Sequence, residues 1–139
     1  MQRTSIRTME WLSLAWERGE YATVRALLHP EGSWAFVTTE TRTFTDPDEF
    51  VNAIRYAQEN TSYKLFTVSH ELLSDSLLLA SAYVRTPANA GSGHNLGRHY
   101  FLVEVRDGLF YSSEHFTSED AVRAAFEKQR TPEVESPAS

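Results

Sequence analysis

The last third of the chain contains the stretch that decides the fold: Asn95-Leu96-Gly97-Arg98-His99-Tyr100-Phe101-Leu102-Val103-Glu104-Val105-Arg106, then Asp107-Gly108, then Leu109-Phe110-Tyr111-Ser112-Ser113-Glu114-His115-Phe116. Two runs rich in β-branched and aromatic residues flank an Asp-Gly pair, which is the strongest short-range signal for a β-hairpin. A helix start follows at Thr117 or Ser118. The stretch predicts two long antiparallel strands, a two-residue turn and a final helix.

The preceding sequence predicts helices before strands. The expected helices cover about 4–18, 20–29 and 46–59, and the expected strands cover 33–38, 41–44, 63–73 and 76–86. Helices that come first, with long consecutive strands after them, favour an α+β fold with a mostly antiparallel sheet. We expect one domain over residues 1–129, since 139 residues suffice for one core, and a frayed polar tail over 130–139.

The composition excludes several classes of function. The formal net charge of −6 argues against nucleic acid and against an anionic membrane surface as partners. The chain has no cysteine, which rules out disulfides, thiol nucleophiles and zinc–thiolate sites, and the five histidines show no zinc-type spacing. We therefore expect no metal and no cofactor. The absence of a signal peptide and of a long apolar segment predicts a cytoplasmic protein.

Several segments together resemble one protein family. They are Ala15-Trp16-Glu17-Arg18-Gly19-Glu20-Tyr21 and Ala26-Leu27-Leu28-His29-Pro30-Glu31 in the first helices, Asp46 to Phe50 at the third helix, and Val103 to Gly108 with Glu114-His115-Phe116 in the closing hairpin. In this order and spacing they resemble the nuclear transport factor 2-like superfamily, in its SnoaL-like branch. The resemblance implies a cone, in which a strongly bent, mostly antiparallel sheet wraps around three to four helices and encloses an apolar pocket.

The resemblance also implies a homodimer formed through the outer sheet face, and it leaves the reaction open. Known activities of the family include ketosteroid isomerisation, polyketide ring closure, epoxide hydrolysis and dehydration, and many members only bind. The isomerase pattern fails here, because Leu12 and Phe36 occupy the positions of its Tyr and Asp. The epoxide-hydrolase pattern fails because the strand from Leu77 to Arg85 has no Arg-x-Asp pair.

The polyketide-cyclase pattern, an inward His and an inward carboxylate on the last two strands, fits best. It assigns His99 and Glu114 as the catalytic residues, with Glu114 moving the proton and His99 stabilising an oxyanion. The alignment needs a one-residue gap near Ser112. A one-residue slip of the strand would instead turn Glu114 outward and His115 inward. The expected ligand-binding residues are Trp16, Trp34, Phe36, His70, Tyr83, Phe101, Ser112 and Phe116.

Three functions stay open from the sequence. The first is a cyclase, isomerase or dehydratase that acts by acid–base catalysis on a hydrophobic, oxygenated small molecule such as a polyketide. The second is a module of the same fold that binds such a ligand without chemistry. The third is a dimeric interaction scaffold whose interior is filled by aromatic side chains.

Overall fold

The computed structural model describes residues 2–38, 40–86 and 97–130. The elements follow the predicted order along the chain. They are α1 (Gln2–Arg18), α2 (Tyr21–Leu27), β1 (Leu28–Val37), β2 (Thr41–Phe44), α3 (Pro47–Asn60), β3 (Lys64–Leu72), β4 (Leu77–Arg85), β5 (Gly97–Arg106), β6 (Leu109–Phe116) and α4 (Glu119–Arg130).

The six strands form one curled sheet in the order β2-β1-β6-β5-β4-β3. Every described pair is antiparallel except β1 with β6, which is parallel. Helix α1 packs on the concave face against β3, α3 packs over β1 and β2, and α4 lies on β5 on the convex face. The predicted α+β cone is confirmed. No helix among the described residues is long and apolar enough to cross a membrane.

The hairpin between β5 and β6 forms as its sequence predicts. Asp107 and Gly108 have φ values of 56° and 73°, and Arg106 faces Leu109 across the turn. Positive φ at both central residues gives the type I′ turn that Asp-Gly favours, whose twist matches that of the flanking strands.

Helix α1 turns one apolar stripe toward the sheet. Met9, Leu12 and Trp16 are buried at helical spacing, whereas Trp11 on the opposite face is 60% exposed. Helix α3 is fixed at its start by Asp46, whose carboxylate accepts hydrogen bonds from the backbone N–H groups of Asp48 (2.8 Å) and Glu49 (3.4 Å).

A β-bulge in β6 sets which side chains face the interior. Val105 pairs with Phe110, but Glu104 pairs with Ser112, so Tyr111 is an extra residue. Plain alternation from Phe110 would place Ser112, Glu114 and Phe116 on the concave face. Because one extra residue inverts the alternation beyond it, Ser113 and His115 take those inward positions.

Gly32 of β1 allows this bulge. A Cβ atom at Gly32 would clash with the backbone carbonyl of Tyr111 and with the Trp34 ring. The pairing of β1 with β6 also shifts register between Leu28 and Ser33, next to this contact. Strand β1, which includes Gly32, begins at Leu28. The sequence predicts its start five residues later, at Ser33.

The convex face is partly covered by α4. Leu79 and Leu102 of the sheet pack with Val122 and Phe126 of the helix, and Arg123 bridges Glu71 of β3 and Glu119. Beyond α4, Phe66 and Tyr83 face each other across β3 and β4 and are each more than a third exposed.

Candidate functional site

Strand register arranges the concave face in cross-strand rows. Each row takes one inward side chain from each strand that it crosses, starting at β3 and moving toward β6. The rows are Leu72, Leu78, Val103 and Ser113; then His70, Ala80, Phe101 and His115; then Thr67, Ala82 and His99. The middle row carries an imidazole at both ends, and the third row ends in another.

An apolar cavity of about 60 Å³ lies between α1 and these rows. Its walls include Leu12, Phe36, Leu65, Val84, Phe101 and Val103. The volume is several times the ~10–15 Å³ that one water needs, but below the ~150 Å³ of a cavity that holds benzene. A buried group of only a few heavy atoms fits. Ala35 and Ser113, which line this cavity, also border a slot between β1, β2 and β6.

His70 is the imidazole inside this cavity. Its ring is partly buried, and Nε2 lies 3.5 Å from the Ser13 hydroxyl oxygen of α1. Burial lowers the pKa of His70 below the ordinary value of 6.5, and the Glu10 carboxylate opposes this shift. The neutral ring therefore predominates at pH 7 and can accept a proton.

Trp16 and Tyr63 add two polar hydrogens to the same cavity. Both side chains are buried (7% and 4% exposed) and both rings contact Phe36. Burial raises the pKa of the Tyr63 phenol far above its ordinary value, and a hydrogen bond from the Trp16 indole opposes the shift, so the hydroxyl stays neutral. Among the described residues, Trp16 Nε1 has no other hydrogen-bond partner than this hydroxyl.

The histidine pair lies at the far end of the rows. His99 Nδ1 and His115 Nε2 are 2.8 Å apart, and the His115 ring contacts Phe101 of the cavity wall. Burial lowers the pKa of both imidazoles, and His99 lowers that of His115 further. One ring must therefore donate and the other accept, and each is neutral near pH 7.

Comparison with solved structures supports a shared fold. The chain is 12% identical to an LEH-like epoxide hydrolase of M. tuberculosis (TM-score 0.63, covering 94% of this chain and 93% of that one). It is 13% identical to a candidate polyketide cyclase of Xanthomonas campestris (0.63, 88% and 96%) and 7% identical to an NTF2-like protein of unknown function from Cytophaga hutchinsonii (0.60, 86% and 94%). No family model and no curated protein matches the sequence.

The chain has the nuclear transport factor 2-like fold. The predicted resemblance is thus confirmed as a shared architecture, which several chemistries use. The reaction has to be argued from the side chains within this fold.

Glu114 does not face the cavity, so the inward orientation that the sequence predicts for it is wrong. Glu114 is exposed and pairs with Leu102, in a convex-face row that also holds Leu79 and Glu71. The bulge at Tyr111 is the reason, because it inverts the strand beyond Phe110. Glu114 borders the slot between β1, β2 and β6. His99 does face inward, one row beyond Phe101.

Four of the expected ligand-binding residues lie elsewhere. Trp34 is fully buried outside the cavity lining, stacks on Phe50 and donates from Nε1 to the Phe110 carbonyl at 3.1 Å. Tyr83 faces outward on the convex surface, where Arg98 lies over its ring. Phe116 packs with the α4 cluster, and Ser112 borders the slot. The bulge explains the last two.

The other four, Trp16, Phe36, His70 and Phe101, do line the cavity. The sequence prediction missed Ser13 and Tyr63. Ser13 lies four residues after Met9 and three before Trp16 on α1, and these spacings are the signal that helical periodicity offers. In the predicted strand over 63–73, plain alternation puts Tyr63 on the face opposite His70. The register of β3 shifts between Thr67 and Ser69, so that Leu65 and Thr67 lie on the inward face with His70, and Tyr63 lines the same cavity.

The described lining contains no Asp, Glu, Lys or Arg. Within the described part of the chain, no group of three or more His, Cys, Asp or Glu residues is arranged to hold a metal ion. The polar groups of the cavity are therefore an imidazole, hydroxyls and an indole N–H in apolar walls. Such a set can accept one proton and donate hydrogen bonds to an uncharged ligand.

Proposed function

We propose that the protein is an acid–base enzyme that acts on a small, hydrophobic, oxygenated molecule, with His70 as the proton acceptor. The observation that carries this is the neutral imidazole in an apolar cavity. A base with its pKa at or below the working pH is available for proton transfer, and water exclusion strengthens its interactions with a ligand.

The chemistry that fits is proton abstraction next to a carbonyl. His70 Nε2 would take the α-proton, and the electron pair of the C–H bond would move into the carbonyl to give an enolate. Return of the proton from the imidazolium to a different carbon completes an isomerisation. If the imidazolium first exchanges its proton with D₂O, the return step places deuterium on the α-carbon. Ser13, 3.5 Å from Nε2, is placed to hold the ring until a ligand arrives.

Deuterium exchange tests this without knowledge of the natural substrate. Acetone, which has only four heavy atoms and suits the size of the cavity, is incubated with the protein in D₂O, and the loss of its α-proton signal is followed by NMR. We expect wild-type exchange well above background and a decrease of about 10²- to 10⁴-fold in His70→Gln. His29→Gln is the matched control, because His29 lies beside Asp107, away from the cavity lining. Equal rates in wild type and His70→Gln would overturn the proposal.

A binding module without chemistry is the second candidate. The lack of a carboxylate in the described lining favours it, since an imidazole without a charged partner is a weaker catalyst than a His–carboxylate pair. It predicts that acetone binds and that His70→Gln alters the affinity, while the exchange rate stays at background in every variant.

A further inference from the structure

The two imidazoles at the far end of the concave rows form a close pair of nitrogen ligands. His99 Nδ1 and His115 Nε2 are 2.8 Å apart, and the two ring centroids are 4.9 Å apart. Both rings are partly buried, and burial lowers the pKa of each imidazole below its ordinary value. The neutral imidazole, which is the form that binds metal ions, therefore predominates at pH 7.

The distance between the two nitrogens suits one divalent ion of a particular geometry. Nitrogens that bind the same ion at about 2.0–2.1 Å lie about 2.9 Å apart when the N–metal–N angle is ~90°, and about 3.4 Å apart when it is ~109°. The observed 2.8 Å is closer to the first value. A right angle between neighbouring ligands is typical of the tetragonal sites of Cu²⁺ and Ni²⁺, whereas Zn²⁺ prefers the tetrahedral angle.

The slot between β1, β2 and β6 gives a cation access to the pair. His115 borders this slot, which has a volume of about 550 Å³. The described lining of the slot holds one carboxylate, that of Glu114, and no Lys or Arg side chain. Most of the remaining lining consists of hydroxyl side chains, which are Ser33, Thr41, Thr43, Ser112 and Ser113. The slot therefore favours a cation and has room for the water molecules that the cation brings.

We propose that His99 Nδ1 and His115 Nε2 bind one divalent ion of tetragonal geometry, Cu²⁺ or Ni²⁺, and that water from the slot completes the coordination. The ring that donates the shared hydrogen bond moves its proton to its other nitrogen, so both lone pairs become available without net loss of a proton. A small rotation of each ring then turns the two lone pairs toward a common point. The proposal is independent of the proposed function, since neither imidazole is among the described residues that line the cavity of His70.

Strand pairing creates this site, which is why the spacing of histidines along the chain does not predict it. The two histidines are sixteen residues apart, and His115 pairs with Phe101, two positions beyond His99 on β5. Such a diagonal pair on one face of a sheet lies within reach of long side chains. The expectation of no metal rests on sequence spacing alone. With two protein ligands, the site also agrees with the absence of any described group of three or more metal-ligating residues.

Calorimetric titration of the untagged, full-length protein with CuCl₂ at pH 7 tests the site. We expect one tightly bound Cu²⁺ per chain. His99→Gln and His115→Gln should each weaken binding about 10²-fold, because each removes one of two linked ligands. His29→Gln is the matched control and should bind as the wild type does. His29 Nε2 lies 3.2 Å from the Asp107 carboxylate, so this variant also removes the rival imidazole–carboxylate pair.

Electron paramagnetic resonance of the Cu²⁺-bound protein gives a readout that needs no variant to fold. The bound ion should show hyperfine coupling to two imidazole nitrogens in the wild type, and to one in each single variant. Coupling to fewer than two imidazoles in the wild type would overturn the proposal. Equal Cu²⁺ affinity in the wild type and in either single variant would also overturn it, as would loss of the tight site in His29→Gln.

Discussion

His99 Nδ1 and His115 Nε2 lie 2.8 Å apart, so two imidazoles from adjacent strands share one hydrogen bond on the concave face. The bond requires one ring to donate and the other to accept. Full protonation makes both nitrogens donors and breaks it. The pair therefore ties the packing of β5 against β6 to the charge state of two side chains.

We expect stability to decrease as the pH falls below about 6.5. Burial lowers the pKa values of His70, His99 and His115 in the folded chain, so the unfolded chain takes up protons first. The free energy of unfolding should be flat from pH 8 to 7 and decrease between pH 6.5 and 5.5. Urea unfolding at each pH measures it. The double variant His99→Gln/His115→Gln should show a smaller decrease, and an unchanged slope would contradict the assignment.

Glu114→Gln should leave ligand binding and deuterium exchange within about twofold of wild type. The reason is geometric, because Glu114 faces solvent in the same row as Leu102, whereas His70 faces the cavity. His70→Gln is the paired variant and should lose exchange. A loss in Glu114→Gln comparable to that in His70→Gln would place the carboxylate back in the site and contradict the register of β6.

Trp34→Phe should destabilise the protein more than Trp16→Phe, by about 1 kcal/mol. Both substitutions remove the same atoms from the core, so their cavity costs are similar. Trp34 loses a hydrogen bond from Nε1 to the Phe110 backbone carbonyl and leaves that carbonyl without its donor, whereas the Trp16 indole contacts only the Tyr63 hydroxyl, which keeps its own proton to donate. Denaturant unfolding of the two variants gives the difference. A larger loss for Trp16→Phe would contradict this ranking.

Gly32→Ala should cost about 1–3 kcal/mol or more, because the new methyl group meets backbone and cannot be accommodated by a side-chain rotation. The methyl group would clash with the backbone carbonyl of Tyr111 at the bulge. Gly108→Asn serves as the control, since Gly108 has open space around it and asparagine tolerates its positive φ. Thermal unfolding should rank Gly32→Ala well below Gly108→Asn, and equal midpoints would disprove the close approach.

Local chemistry explains what the sequence could predict. The Asp107-Gly108 turn, the Asp46 cap and the stripe of α1 each depend on residues within one turn of chain, and the structure confirms them. The side of β6 that faces inward depends instead on Gly32, nearly eighty residues earlier in the chain. The sequence of β6 alone does not indicate that contact, so simple alternation predicts the wrong face for Glu114.

The cavity residues divide in the same way. Trp16 and His70 follow from helical and strand periodicity, whereas Tyr63 does not, because a register shift in β3 between Thr67 and Ser69 inverts the alternation that the sequence predicts. The identity of the hydrophobic ligand, the homodimer and the cytoplasmic location stay predictions, since no contact within one chain bears on them.

The bulge in β6 shows that a change of one residue in a strand decides which side chains face the interior. Removing one residue beyond the bulge, at Ser112, would exchange one pair of inward side chains, Ser113 and His115, for another, Glu114 and Phe116. The outline of the protein would stay, while a carboxylate replaced an imidazole inside. The insertion or deletion of one residue in a strand can therefore give the same fold a different set of interior side chains, and with them a different chemistry.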